Sequence, residues 1–142
     1  MTARKSALLL LLNLALLGVF AAASYYGYLT FLWVTDASKL SFVILAVYFV
    51  AAGFLSFGKH SEAVVQEIAD LLPGVALIGT VAGIILVLSA LAHVSVSGGS
   101  DFKQLIGPIL IGAGTSFQPT LLGVSAAVLL RFQLMFAGGR AA

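Results

Sequence analysis

The chain contains no cysteine and only two histidines. The first absence excludes a disulfide framework, a thiolate nucleophile and a cysteine metal site. The second leaves too few imidazoles for a histidine-only metal centre. Charge is scarce as well: Asp, Glu, Lys and Arg make up 8% of the residues, where soluble domains carry about a quarter. No triad, metal cluster or phosphate-binding loop can be assembled from what remains, so the sequence reads as a non-enzyme that needs no cofactor. Seven basic residues stand against five acidic ones without forming a stripe or run. The net charge of +2 therefore does not mark a nucleic-acid surface.

What the chain does have is apolar length. Hydrophobic residues make up 61% of its 142 positions, and the mean hydropathy is +1.15. These values describe an integral membrane protein of the all-α class. Four segments reach or approach the roughly 20 residues that span a bilayer: 6–33, 40–57, 71–93 and 102–130. Arg4 and Lys5 precede the first run, as in a signal peptide. The run is too long for one and is followed by further apolar segments, so it reads as a retained helix. Asn13 is its only strongly polar interior residue, and Tyr25, Tyr26, Tyr28 and Trp33 gather at its far end, where aromatic rings prefer the headgroup layer.

Between the second and third segments, 58–70 carries Lys59, His60, Glu62, Glu67 and Asp70. Val64, Val65, Ile68 and Leu72 recur there at helical spacing, which predicts a short amphipathic helix at the membrane surface, capped by Ser61. Pro73 is expected near the start of the third span, where a missing amide costs least. The stretch 95–103 reads as an outer turn with His93 at the interface, and Arg131 and Gln133 mark the emergence of the last span from the bilayer. Four spans put both termini on one side. That side holds Arg4, Lys5, Lys59, Arg131 and Arg140, five basic residues against the two, Lys39 and Lys103, on the other. The bias places both termini in the cytoplasm.

The third and fourth segments differ in kind from the first two. They are rich in Gly, Thr, Ser and Pro, which suggests helices that face an interior or another subunit while the first two face lipid. On the third, Ala76, Thr80, Gly83, Val87 and Ala90 recur at steps of three or four, with Gly79 and Gly83 as a small-xxx-small pair. On the fourth, Gly112, Ser116, Thr120, Gly123 and Ala127 form a similar stripe, flanked by Gly114, Thr115, Gln118 and Pro119. Pro119 cannot donate to the Thr115 carbonyl, which predicts a kink and a freed acceptor. Helix packing alone can use such residues. Their coincidence at one depth favours an internal functional surface, and a path for an ion or proton is one use of it. A proton path normally needs an ionisable group, and no acid or base lies securely within these spans, so a partner must supply it.

The stretch LPGVALIGTVAGI (72–84) resembles the third-span motif of the MotA/TolQ/ExbB proton-channel family. GAGTSFQPTLLGV (112–124), followed by LLRFQ (129–133), resembles its last-span motif. The resemblance implies a homopentameric ring in the bacterial inner membrane, closed around a dimer of a single-pass partner whose helix carries an Asp. The last two spans would line the ring, with Thr80 and Thr120 near that Asp. The sequence departs from the pattern in two ways. Pro119 stands in place of the first of the two consecutive threonines that the family's last span often has, and the cytoplasmic region between spans two and three is shorter than members usually carry. The second departure argues against a flagellar stator and for a compact motor core.

The function expected on this basis is that of a ring subunit in an ion-driven membrane motor or energy-transducing channel. Thr80 and Thr120 would flank the partner acid, while Ser116, Gln118 and the Thr115 carbonyl hold water. Pro73, Gly79, Gly83, Gly112, Pro119 and Gly123 would shape and pack the helices. The rivals are a structural or assembly membrane protein with a dry interior and a small-solute transporter subunit. The latter is disfavoured by the lack of an internal repeat or intramembrane charge pair. The orientation is tested by reporter fusions. A reporter active only in the cytoplasm should work after Lys59 and after Ala142, and one active only outside it should work after Lys39 and after Gly99. The inverse pattern would reverse the assignment.

Overall fold

The structure, a computed structural model, describes residues 3–36, 38–57, 62–92 and 101–138. The Ser61 cap, Lys59, His60, His93, most of the 95–103 turn and Arg140 lie outside them. The described chain is all helical: α1 (Ala3–Tyr25), α2 (Tyr28–Thr35), α3 (Leu40–Phe57), α4 (Glu62–Ala92), α5 (Asp101–Ser116) and α6 (Gln118–Ala137). Among the described residues four helical stretches are long and apolar enough to cross a membrane: Ser6–Tyr25, Leu40–Phe57, Glu62–Ser89 and Gly112–Ala137. The protein is a polytopic helical membrane protein.

The element boundaries differ from the sequence reading in three places, each with a local cause. The first apolar run is not one helix as far as Trp33. α1 stops at Tyr25, and Gly27 takes a left-handed backbone (φ +92°) between α1 and α2, a conformation that costs glycine least. The charged 62–70 stretch is not a separate surface helix. It runs without a break into the third apolar segment as the beginning of α4. Its apolar positions Val65, Ala69 and Leu72 are buried while Glu62, Gln66, Glu67 and Asp70 face outward. Pro73 therefore lies inside α4, not near a helix start, and leaves the Ala69 carbonyl without its usual donor. Finally, the last long segment is divided at Phe117 into α5 and α6, two residues before Pro119.

α3 and α6 pack against each other, and α1 and α4 each pack against both. The shared core is built from Leu9, Ile44, Ala51, Leu55, Val65, Ala69, Leu72, Ala76, Ala126, Ala127, Leu130 and Leu134. Its many alanines let the axes approach closely. α5 leaves this bundle and follows the rest of α4. Leu40, the first residue of α3, sits against the Gly79 position together with Pro119. The remainder of α4, to Ala92, rises about 20 Å beyond that level at 1.5 Å per residue.

The α2–α3 corner is fixed by one carboxylate. Asp36 is 1% exposed. Its Oδ1 accepts the amides of Ser38 and Lys39 at 3.0 and 3.1 Å and the Ser38 hydroxyl at 2.7 Å, and its Oδ2 accepts the amide of Ser41 at 2.8 Å. A negative charge there also complements the positive end of α3. The Lys39 ammonium meets the Trp33 carbonyl and lies 4.7 Å from the centre of its ring. Burial alone would raise the Asp36 pKa, but the hydrogen bonds from Ser38 and Ser41 outweigh it and hold the group below its ordinary value. A depressed carboxyl stabilises the fold fully above the unfolded value of about 3.9 and loses that contribution as pH falls through the lower folded value. Hydrogen exchange should therefore show the Ser38, Lys39 and Ser41 amides protected at neutral pH and released below about pH 4. Asp36→Ala should release them at every pH, at a cost of about 1 kcal/mol.

Candidate functional site

The two small-residue stripes meet. α4 and the α5–α6 pair run antiparallel, and their small positions face each other rung by rung. Gly112 lies against Val87, Gly83 against Ser116, Thr80 against Thr120, and Gly123 against Ala76. The fit leaves no room for larger side chains. A Cβ at Gly83 would come within 2.9 Å of the Ser116 hydroxyl, and one at Gly112 within 2.9 Å of a Val87 methyl. At Gly79 it would approach the Cβ atoms of Pro119 and Leu40 at 3.0 and 3.1 Å. Gly123 is tighter still: an added carbon would run into the Ala76 Cβ and reach 3.0 Å from the Leu72 carbonyl. About two turns further along, Arg131 pairs with Asp70 at 2.6 Å on the exposed edge of the same seam.

Within this seam the Thr80 and Thr120 hydroxyls are 2.5 Å apart. Thr120 Oγ1 also donates to the Ala76 carbonyl at 3.4 Å. A carbonyl can only accept, and a hydroxyl has one hydrogen. When Thr120 donates to Ala76, Thr80 must donate to Thr120, and the relay runs from α4 to α6 and back to the α4 backbone. Thr80 keeps both of its lone pairs in this arrangement. Thr80 is 4% exposed while Thr120 is half-buried, so the pair reaches the molecular surface through Thr120.

The remaining polar residues singled out in the sequence do not join this pair. Thr115 and Ser116 both donate to the Gly112 carbonyl, at 3.0 and 2.8 Å, one turn back on their own helix. Gln118 turns instead toward α2, where its Oε1 lies 3.0 Å from the Thr35 hydroxyl. That hydroxyl is also 2.6 Å from the Phe31 carbonyl. Pro119 is buried at the start of α6 and packs toward Gly79. The helix breaks beside it, with the Phe117 amide reaching Gly114 at 3.3 Å.

A second polar cluster lies elsewhere in the bundle. Gln133 is completely buried, although its place beside Arg131 reads as an exit from the membrane. Its Nε2 donates to Asn13 Oδ1 at 2.8 Å and to the Tyr48 hydroxyl at 3.1 Å. Asn13 Nδ2 in turn donates to the Ser56 hydroxyl at 2.8 Å and the Ala52 carbonyl at 3.3 Å. Three helices, α1, α3 and α6, are thereby tied by one network. The isolated Asn13 was the only sequence signal for it; the partners become visible only once the helices are placed. Among the described residues no group of His, Cys, Asp and Glu could hold a metal ion.

In comparison with known proteins, no family model, no curated protein and no solved structure matches this chain.

Interhelical hydrogen bonds within a bilayer average about 0.6 kcal/mol and reach about 1.7. Asn13→Leu and Gln133→Leu, combined in a double-mutant cycle and read by denaturation in detergent micelles, should give a coupling of about 1 kcal/mol. Additive effects would show that the two amides do not hold α1 to α6.

Proposed function

We propose that this chain is a ring-forming subunit of an ion-driven membrane motor or energy-transducing channel, working with a single-pass partner that carries the ionisable acid. The observation that carries this reading is the hydroxyl pair of Thr80 and Thr120. Two threonines, one from α4 and one from α6, converge on one point in a seam otherwise closed by small residues. Threonine is not needed to close that seam, since alanine would pack at least as well. A hydroxyl pair adds a group that can accept from a protonated acid or donate to a deprotonated one without carrying charge itself.

Three further features fit. Among the described residues no acid or base stands beside the pair, and in this reading the partner contributes the titrating group. The part of α4 beyond Thr80 and the facing α5 present Val81, Ile85, Leu86, Leu88 and Leu110 outward, an apolar projection that copies of the chain or a partner helix can cover. The resemblance of 72–84 and 112–124 to the MotA/TolQ/ExbB motifs supports the same arrangement, with the ring expected as a pentamer and the partner as a dimer. In this mechanism protonation neutralises the partner acid and lowers the cost of its passage along the apolar lining. Deprotonation restores its attraction to the two hydroxyls, and the mismatch in symmetry between ring and dimer converts the cycle into steps.

One observation favours the structural rival. Thr80, Thr120, Thr115 and Ser116 all find hydrogen-bond partners within the chain, so each can be explained by packing alone. Replacing Thr80 or Thr120 with Val keeps the shape and removes the hydroxyl, which separates the two readings. In the assembled complex, the motor reading predicts a fall of about tenfold in ion flux, the kinetic equivalent of about 1.4 kcal/mol, with subunit count unchanged. Unchanged flux, or loss of assembly with no separate effect on flux, supports the structural reading instead.

A further inference from the structure

Among the described residues Gln133 is the largest polar side chain that is completely enclosed. Its amide nitrogen has two hydrogens, and both are used: one on Asn13 Oδ1 at 2.8 Å, the other on the Tyr48 hydroxyl at 3.1 Å. Its Oε1 is buried and meets no donor among the described residues. The Tyr48 hydroxyl accepts from Gln133, and its own hydrogen finds no acceptor among them. Tyr48 is buried as well. One carbonyl without a donor and one hydroxyl without an acceptor therefore lie side by side in the core, where such groups are costly.

Turning the amide over does not remove the mismatch. The Ala52 carbonyl can only accept, so the Asn13 nitrogen belongs beside it at 3.3 Å and Asn13 Oδ1 faces Gln133. Gln133 must then answer with Nε2. Turning both amides together would press Asn13 Oδ1 against the Ala52 carbonyl. It would also leave two hydrogens of Gln133 unmatched in place of one oxygen. In either setting the far end of the Gln133 amide calls for a ligand.

The geometry limits what that ligand is. The oxygen and nitrogen of one amide are about 2.3 Å apart, so Gln133 Oε1 lies within about 5.4 Å of the Tyr48 oxygen. One atom spans such a gap with two hydrogen bonds of about 2.8 Å each. It must donate to Oε1 and accept from Tyr48 at once. A metal cation offers Tyr48 no acceptor, an anion offers Oε1 no donor, and an acyl chain offers neither. Water meets both demands, and two partners suffice to hold it inside a protein.

We propose that a single structural water is bound inside the α1–α3–α6 core, donating to Gln133 Oε1 and accepting from the Tyr48 hydroxyl. It completes a polar line that starts where Ser6 donates to the Ser56 carbonyl and passes through Asn13 and Gln133 to Tyr48. It also fixes the direction of the Gln133 amide, and with it the grip on Asn13. α1 depends on that grip, since only 6% of its spanning window is buried. The site is separate from the Thr80–Thr120 seam, because Gln133 lies about 20 Å further along α6 than Thr120 at 1.5 Å per residue. It stands whether or not the seam carries ions.

The test is hydroxyl-radical footprinting by X-rays on the full-length protein in detergent micelles, with water itself as the probe. Radicals formed at a bound water oxidise the side chains that touch it, while a dry core is spared. After correction for intrinsic reactivity, Tyr48 should be oxidised although it is buried. Leu55 and Leu130, equally enclosed but apolar, should stay at background. Gln133→Met keeps the length of the side chain and removes the amide, and Tyr48 oxidation should fall to that background. A second reading comes from the Raman difference between the native chain and Tyr48→Phe. The tyrosine ring doublet separates a hydroxyl that only accepts from one that also donates, and Tyr48 should do both. Tyr48 at background in the native chain overturns the proposal. So does oxidation that survives Gln133→Met, since bulk solvent then reaches the ring. A Tyr48 hydroxyl that only accepts overturns it independently of how Gln133→Met folds.

Discussion

Close approach of α4 to the α5–α6 pair is the constraint on which the rest of the structure depends. Lipid tails are as apolar as leucine, so helices in a bilayer gain little from hiding apolar surface and must associate by packing. Here that packing is supplied by positions with no side chain or a very small one. Gly123 cannot accept even a methyl group without meeting Ala76, and Gly83 is closed by Ser116. Once the backbones stand this near, the register follows: the Thr80 and Thr120 hydroxyls come within 2.5 Å, and Arg131 reaches Asp70 at the edge. α3 then packs on both α4 and α6, and α1 closes the other side through Asn13 and Gln133.

The break at Phe117 belongs to the same geometry. It falls at the level where α3 begins, with Leu40, Gly79 and Pro119 in contact, and where Gln118 meets Thr35 of α2. Below that level α6 is enclosed by three helices. Above it α5 follows α4 alone, apart from slight contacts with α2 and α6. A straight helix would have to serve both environments. Pro119 removes one backbone donor at the point where the neighbours change, so the direction of the chain can change there too.

Much of this was readable in the sequence, and the parts that were not share a cause. The two stripes at steps of three and four named the residues of the seam, because small residues have few other uses at that spacing in a membrane helix. The resemblance brought Thr80 and Thr120 together; the other rungs, such as Gly83 against Ser116, appear only in the structure. The division of the first apolar run at Gly27 was hidden because both sides are equally hydrophobic, so composition changes nowhere near it. The continuity of α4 through Pro73 was hidden for the opposite reason: the change from charged to apolar composition imitates a helix boundary. The partners of Gln118 and Gln133 were not legible because Thr35, Asn13 and Tyr48 lie on other helices. Pairwise placement of polar groups is a tertiary property, and periodicity along one helix carries no trace of it.

The hydroxyl pair has a direction, and that direction bears on what can approach it. Thr120 is tied on one side to the Ala76 carbonyl and on the other to Thr80, so its single hydrogen is committed when the weaker bond to Ala76 is formed. A deprotonated acid arriving at the exposed side of Thr120 would compete for that hydrogen. The bond to Ala76, at 3.4 Å, is the one that yields, since hydrogen bonds to ionised acceptors are roughly twice as strong as neutral ones. A protonated acid would instead donate to a free lone pair on Thr120 and leave the relay as it is. The same two residues therefore respond differently to the two charge states of a visiting group, although neither of them titrates. A seam closed by alanine would pack as well and could not make that distinction.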